Sequence, residues 1–133
     1  MNILDFLTPK YETHFYLSTI TLRQAFEKFT IHKYSVMPLI DSEGKYVTTI
    51  SASDLLEASR IPRLSLKASE RIKVSEILVT RPYKSLTIDS TIEQVYDLLL
   101  EQNFIPMVDS LGIYMGIIKR KTFLRAFKKK ILS

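Results

Sequence analysis

Two short runs hold the residues best suited to chemistry with a ligand. In Ser51-Ala52-Ser53-Asp54 a hydroxyl stands three residues before a carboxylate. An ionised Asp accepts several hydrogen bonds at once, so it suits a partner with adjacent hydroxyls while the Ser reaches a further oxygen. The same Asp54 equally suits a helix N-cap, with Glu57 at the third position completing a capping box. Lys119-Arg120-Lys121 places three cations in a row. They could hold a phosphate, Arg120 by a charge-assisted contact contributing about 1.5–3 kcal/mol per hydrogen bond, or could simply be a solvated helix start.

Other chemistries find little support. The chain has no Cys, which excludes disulfides, thiolate zinc sites and a Cys nucleophile. His14 and His32 lack acidic neighbours at ligand spacing, so no metal site is expected. Gly112 and Gly116 read as turn and strand glycines, not as a phosphate loop. With no nucleophile beside a base, the expectation is a non-enzyme with no catalytic residues and no catalytic cofactor.

The elements that would position these residues come from an internal repeat. Thr21-Leu22-Arg23-Gln24-Ala25-Phe26 and Thr91-Ile92-Glu93-Gln94-Val95-Tyr96 align, each opening with a Thr-x-x-Gln capping box. Apolar residues follow at Leu22, Ala25, Phe26, Phe29 and at Ile92, Val95, Tyr96, Leu99, which predicts two amphipathic helices. Met37-Pro38-Leu39-Ile40-Asp41-Ser42-Glu43-Gly44 then aligns with Ile105-Pro106-Met107-Val108-Asp109-Ser110-Leu111-Gly112. Each reads as a strand running into an Asp-Ser-x-Gly turn. A return strand and a short helix complete each copy, at 46–50 and 55–58 and again at 114–118 and 123–127.

The repeat predicts an α/β (α+β) fold of two copies, each helix, strand, strand, helix, packed around a pseudo-twofold axis. The copies span 1–58 and 72–133, with a connector at 59–71 that has no clean periodicity. Each copy is too short to bury a sufficient core alone.

The 133 residues carry 19 Lys and Arg against 14 Asp and Glu, a formal charge of +5. Through residue 118 there are twelve basic residues and fourteen acids; residues 119–133 add seven basic residues and no acid. A slightly acidic body therefore ends in a basic stretch. Arg125, Lys128, Lys129 and Lys130, opposite Phe123, Leu124, Phe127 and Ile131, raise nucleic-acid binding as an alternative function. Cations at a helix C-terminus need no such partner, and nucleic acid is not the expected one. The start, Met1-Asn2-Ile3-Leu4-Asp5-Phe6, carries an acid where a signal peptide needs a long apolar stretch. No run is long enough to span a membrane, so a cytoplasmic protein with no membrane association is expected.

The apolar-Pro-apolar-apolar-Asp strand, the Gly turn and Ile50-Ser51-Ala52-Ser53-Asp54-Leu55-Leu56 resemble a tandem pair of CBS domains, the Bateman module. A narrower resemblance, carried by 45–54, 104–106 and 116–124, is to the stand-alone CBS proteins of Gram-positive bacteria that bind cyclic di-AMP. The resemblance implies a regulatory homodimer binding an adenine nucleotide between its repeats, cyclic di-AMP first and AMP, ADP or ATP as the alternative. Occupancy would pass to a separate target protein, the implied class being the enzyme that makes and degrades (p)ppGpp.

By the same resemblance, Ser51, Ser53 and Asp54, following Ile50, correspond to the ribose and phosphate motif, and Lys119, Arg120 and Lys121 to basic phosphate ligands. The adenine slot maps onto Thr13, His14 and Phe15 with Tyr34, Ser35, Val36 and Met37. Tyr34 or Phe15 could stack on the base, or both could be core or dimer-interface residues. The second copy departs from the motif, since Lys119 stands where Ser51 does and Thr122 where Asp54 does. One intact and one altered nucleoside site follow.

Overall fold

Thr21 and Thr91 open the two helices that organise the fold, and each does so by a reciprocal capping box. The Thr hydroxyl accepts from Gln24 or Gln94 N–H at 3.1 Å, and each Gln side chain accepts from its Thr N–H. In the computed structural model, which describes residues 2–60, 65–77 and 79–132, these helices are α1 (Leu22–His32) and α4 (Ile92–Leu99). Residues 61–64 of the expected connector, and the chain ends Met1 and Ser133, lie outside the described residues. A short helix α3 (Leu66–Ser69) occupies part of the remainder.

The chain divides into two units. In Phe15–Pro82, β2 (Tyr16–Leu17), β3 (Val36–Ile40) and β4 (Tyr46–Ser51) form a sheet in that order, β2 parallel and β4 antiparallel to β3. Helices α1 and α2 (Ala52–Ala58) cover it, and Leu22, Ala25, Met37, Leu39 and Ile50 are buried in its core. In the other unit, Met1–His14 with Tyr83–Ser133, the order is β1-β7-β6-β5. These strands are β1 (Leu7–Pro9), β5 (Leu86–Thr87), β6 (Phe104–Val108) and β7 (Tyr114–Lys119), covered by α4 and α5 (Arg120–Leu132). The mixed α/β architecture of two like units agrees with the repeat.

Both turns form as their sequence implies. Asp41 Oδ1 accepts from the N–H groups of Glu43 and Lys45, and Asp109 Oδ1 from those of Leu111 and Ile113, all at 2.9 Å. Gly44 and Gly112 follow at φ 86° and 85°, the left-handed region that costs glycine nothing.

The sequence boundaries follow the repeat, whereas the contacts group the chain differently. A 3-10 turn at Ile3–Phe6 buries Ile3 and Phe6 among Val95, Leu99, Ile105, Ile118 and Phe123, all of the second copy. A matching turn at Val74–Glu76 buries Val74 among residues of the first copy. Each copy is thus completed by the segment that sequence order attaches to the other. Burying a side chain such as Phe6 contributes about 1.5–3 kcal/mol, so the exchange matters to both cores. Gly116 makes room for it: a Cβ there would lie 2.1 Å from the Thr8 carbonyl oxygen of β1.

Candidate functional site

The two strand-to-helix junctions share one construction. Ala52 N–H donates to Ser35 O at 2.8 Å, and Arg120 N–H donates to Asn103 O at 2.9 Å. The register sets Val36 opposite Ser51 and Met37 opposite Ile50, so these four expected site residues come together at the start of α2. Met37 and Ile50 are buried in the core, which leaves their backbone rather than their side chains for a ligand. Val36 is half-buried and Ser35 exposed.

At this junction Ser51 is the N-cap and Asp54 the third helical residue. Ser51 Oγ accepts from Asp54 N–H at 3.1 Å, and Asp54 Oδ2 accepts from Ser51 N–H at 2.8 Å. The capping box is therefore Ser51 with Asp54, not Asp54 with Glu57, because β4 continues through Ser51 and α2 starts one residue later. Asp54 Oδ1 also accepts from Thr80 N–H at 3.2 Å, and the residue is only 4% exposed. Ser53 is exposed, its hydroxyl 2.9 Å from that of Ser51. Thr80 carries no motif around it, so sequence reasoning had no signal for its tie to Asp54.

The second junction is built differently. Lys119 takes the place of the Ser and ends β7, exposed, opposite Phe104. Arg120 turns inward: its Nε donates to Leu99 O at 2.7 Å and so caps the C-terminal end of α4. Lys121 is exposed. Arg120 and Lys121 in the first turn of a 13-residue helix, with Lys119 just before it, have the wrong sign for its dipole, so an anion placed there is favoured.

Of the remaining residues, Phe15 is half-buried just before β2 and belongs with the first junction's unit, while Thr13 and His14 belong to the other unit. Thr13 Oγ1 donates to Lys10 O at 2.8 Å and lies 2.9 Å from the hydroxyl of buried Tyr114. Burial pushes the Tyr114 phenol above its ordinary value, partly offset by the Thr13 hydrogen bond. His14 is exposed. Tyr34 lies among aromatic rings, 6.1 Å from Tyr16, 6.0 Å from Phe29 and stacked on His32 at 5.2 Å. Burial, with the hydrogen bond and charge of Tyr34 added, pushes the Tyr16 phenol up to about 12.

Where the first copy has Tyr34, the second has Gln102, which is buried and ties the segment before β5 in place. Its Oε1 accepts from Lys84 N–H at 3.0 Å, and its Nε2 donates to Lys84 O and Phe104 O at 2.8 Å. Tyr83 packs on Phe104 with ring centroids 4.8 Å apart. The repeat alignment could have pointed to these positions. Among the described residues no group of three His, Cys, Asp or Glu could hold a metal ion. No helix among them is long and apolar enough to cross a membrane.

The fold and these paired junctions define a CBS-domain pair. A family model described as CBS domain matches residues 16–61 and 74–129, and the chain belongs to that family. CBS pairs are in general regulatory rather than catalytic modules. No curated protein matches the chain. Among solved structures it is similar to a CBS domain protein from Streptococcus pneumoniae, with 25% identity and a TM-score of 0.86, covering 98% of this chain and 88% of that one. It is also similar to CbpB of Listeria monocytogenes in complex with cyclic di-AMP, with 27% identity and a TM-score of 0.76, covering 97% and 96%. CBSX2 in complex with AMP has 24% identity and a TM-score of 0.72, covering 96% of each chain.

Proposed function

We propose that this chain is a non-enzymatic cytoplasmic sensor that binds an adenine nucleotide, cyclic di-AMP foremost, and acts as a homodimer on a separate target protein. The observation that carries the reading is the likeness to the Listeria CbpB complex with cyclic di-AMP, 27% identical over 97% of this chain. The chain's own chemistry supports it. Ser51 and Asp54 form a rigid hydroxyl and carboxylate pair for ribose, since the Asp54 carboxylate keeps acceptor capacity beyond its two backbone donors. Lys119, Arg120 and Lys121 supply phosphate charge at a helix start that an anion stabilises. Thr122 in place of Asp54 leaves the second copy without a ribose clamp, so one nucleoside end is held more specifically than the other.

Output follows from linkage. A ligand that changes affinity for a target must have its own affinity changed equally by that target, here of the (p)ppGpp synthetase and hydrolase class. AMP is the second reading, because CBSX2 holds it. Calorimetric titration with cyclic di-AMP, AMP, ADP and ATP tests the proposal. Saturable heat with cyclic di-AMP, and weaker or no heat with the mononucleotides, is expected. Absence of heat with every adenine compound overturns it.

A further inference from the structure

We propose that Lys33 is a phosphate-binding residue of the first copy, set beside the junction of Ser51 and Asp54 by a strained turn at the end of α1. The inference rests on the nucleotide sensing proposed above and names a further residue for that site. Among the described residues Lys33 is the one other than glycine with a positive φ, 54° with ψ at 39°. In that left-handed region Cβ crowds the backbone of every residue but glycine. Helices commonly end this way, with glycine in that place. No packing holds a lysine there: Lys33 is exposed, and among the described residues it has no ion-pair partner. Strain at a residue without a packing role points to function.

The second copy shows that the fold does not require this turn. Fifteen positions separate Thr21 from Val36, and thirteen separate Thr91 from Phe104. Helix α4 passes into Leu100 in the right-handed conformation, φ −70° and ψ −25°, and Arg120 Nε caps Leu99 O. In the first copy Ala52 stands where Arg120 does and has no side chain to cap α1. The longer left-handed turn closes α1 instead, and glycine would make that turn with less strain than lysine.

Charge accounts for the lysine. The bonds from Ala52 N–H to Ser35 O and from Arg120 N–H to Asn103 O align the two junctions. In that alignment Lys33 matches Glu101, while Ser51 and Ser53 match Lys119 and Lys121. The second junction thus carries cations at its strand end and helix start; the first has none there and places one two residues before Ser35. Two residues span at most about 7 Å, a distance comparable with the four-carbon stem of a lysine. The rings of His32 and Tyr34, on either side of Lys33, stack 5.2 Å apart and fix the turn. A nucleotide whose ribose meets the Asp54 carboxylate brings phosphate close to a like charge, which a neighbouring ammonium offsets. A cation at a helix C-terminus is also favoured by the dipole, but a role limited to that would move stability and not affinity.

Thermal denaturation and calorimetry with cyclic di-AMP and AMP, on Lys33→Gly, Lys33→Gln and Lys33→Arg, test this. Lys33→Gly is expected to melt a few degrees higher, because the strain is relieved, yet to bind at least about tenfold more weakly. Lys33→Gln should lose the same affinity and flatten the salt dependence of binding, whereas Lys33→Arg should retain both. Gly and Gln variants that bind like the unmodified chain overturn the inference, as does an Arg variant no better than Gln. In those outcomes the unmodified chain still binds nucleotide and the sensing stands. An unmodified chain that binds neither nucleotide defeats the sensing itself, so the two failures are distinguishable.

Discussion

The Asp54 carboxylate accepts the Thr80 backbone N–H at 3.2 Å while holding the start of α2 through Ser51. A residue assigned to ligand is therefore also a structural tie across 26 positions of sequence. Asp54→Ala removes a cap and strands two backbone donors, a loss of about 2–4 kcal/mol by urea denaturation. Asp54→Asn keeps an oxygen acceptor and should cost less. In calorimetry, Asp54→Asn should still weaken every adenosine ligand, because a neutral amide is a poorer acceptor for two ribose hydroxyls. Binding unchanged in this variant would reduce Asp54 to its structural role.

Arg120 divides from its neighbours in the same way. Its Nε caps the Leu99 carbonyl, so Arg120→Ala should cost about 0.5–1.5 kcal/mol of stability. Lys119→Ala and Lys121→Ala remove exposed cations and should leave stability within about 0.5 kcal/mol. Both lysine variants should nonetheless weaken cyclic di-AMP binding, and flatten its salt dependence, if those cations meet its phosphates. Thermal denaturation beside calorimetry separates the two effects. Lysine variants with undiminished affinity would remove Lys119 and Lys121 from the site.

Much of this was legible because it is local. Thr21 and Gln24, or Asp41 and Gly44, act within four residues, and their chemistry is the same wherever the chain goes. Periodicity placed Leu22, Ala25 and Phe29 on a buried face for the same reason. The tie from Thr80 to Asp54 and the cap from Arg120 to Leu99 were not legible. Each joins a backbone group, which every residue carries, to a side chain distant in sequence. The place of Ile3 and Phe6 was hidden differently: an apolar pair in a 3-10 turn has no period, and nothing in it says which copy it will cover.

That placement has its own consequence. Phe6 is 1% exposed in the core of the second copy, in ring contact with Phe123 at 5.0 Å. Phe6→Ala should cost about 3–5 kcal/mol. Gly116→Ala should separate β1 from β7 directly, since the obstructing atom is backbone. Hydrogen exchange reads out both: protection should fall at β7 and α5, and persist at β3 and β4. Equal loss at β4 would contradict the grouping of residues 1–14 with the second copy.

Two tyrosines set the alkaline limit. Tyr16 is raised from an ordinary 10.0 to about 12, and Tyr114 is raised in the same direction, both chiefly by burial. The folded chain therefore holds these phenolic protons more tightly than the unfolded chain. The sign follows: each contribution is fully present below pH 10, where folded and unfolded states are both protonated, and is lost at higher pH as the unfolded phenol ionises first, for Tyr16 between pH 10 and about 12. Urea denaturation should show a steady midpoint up to pH 10 and a falling one above it. Tyr16→Phe keeps the ring but cannot ionise, so its midpoint should fall less steeply, and tyrosinate absorbance should lose its latest-titrating component. An alkaline decline unchanged in Tyr16→Phe would place the sensitivity elsewhere.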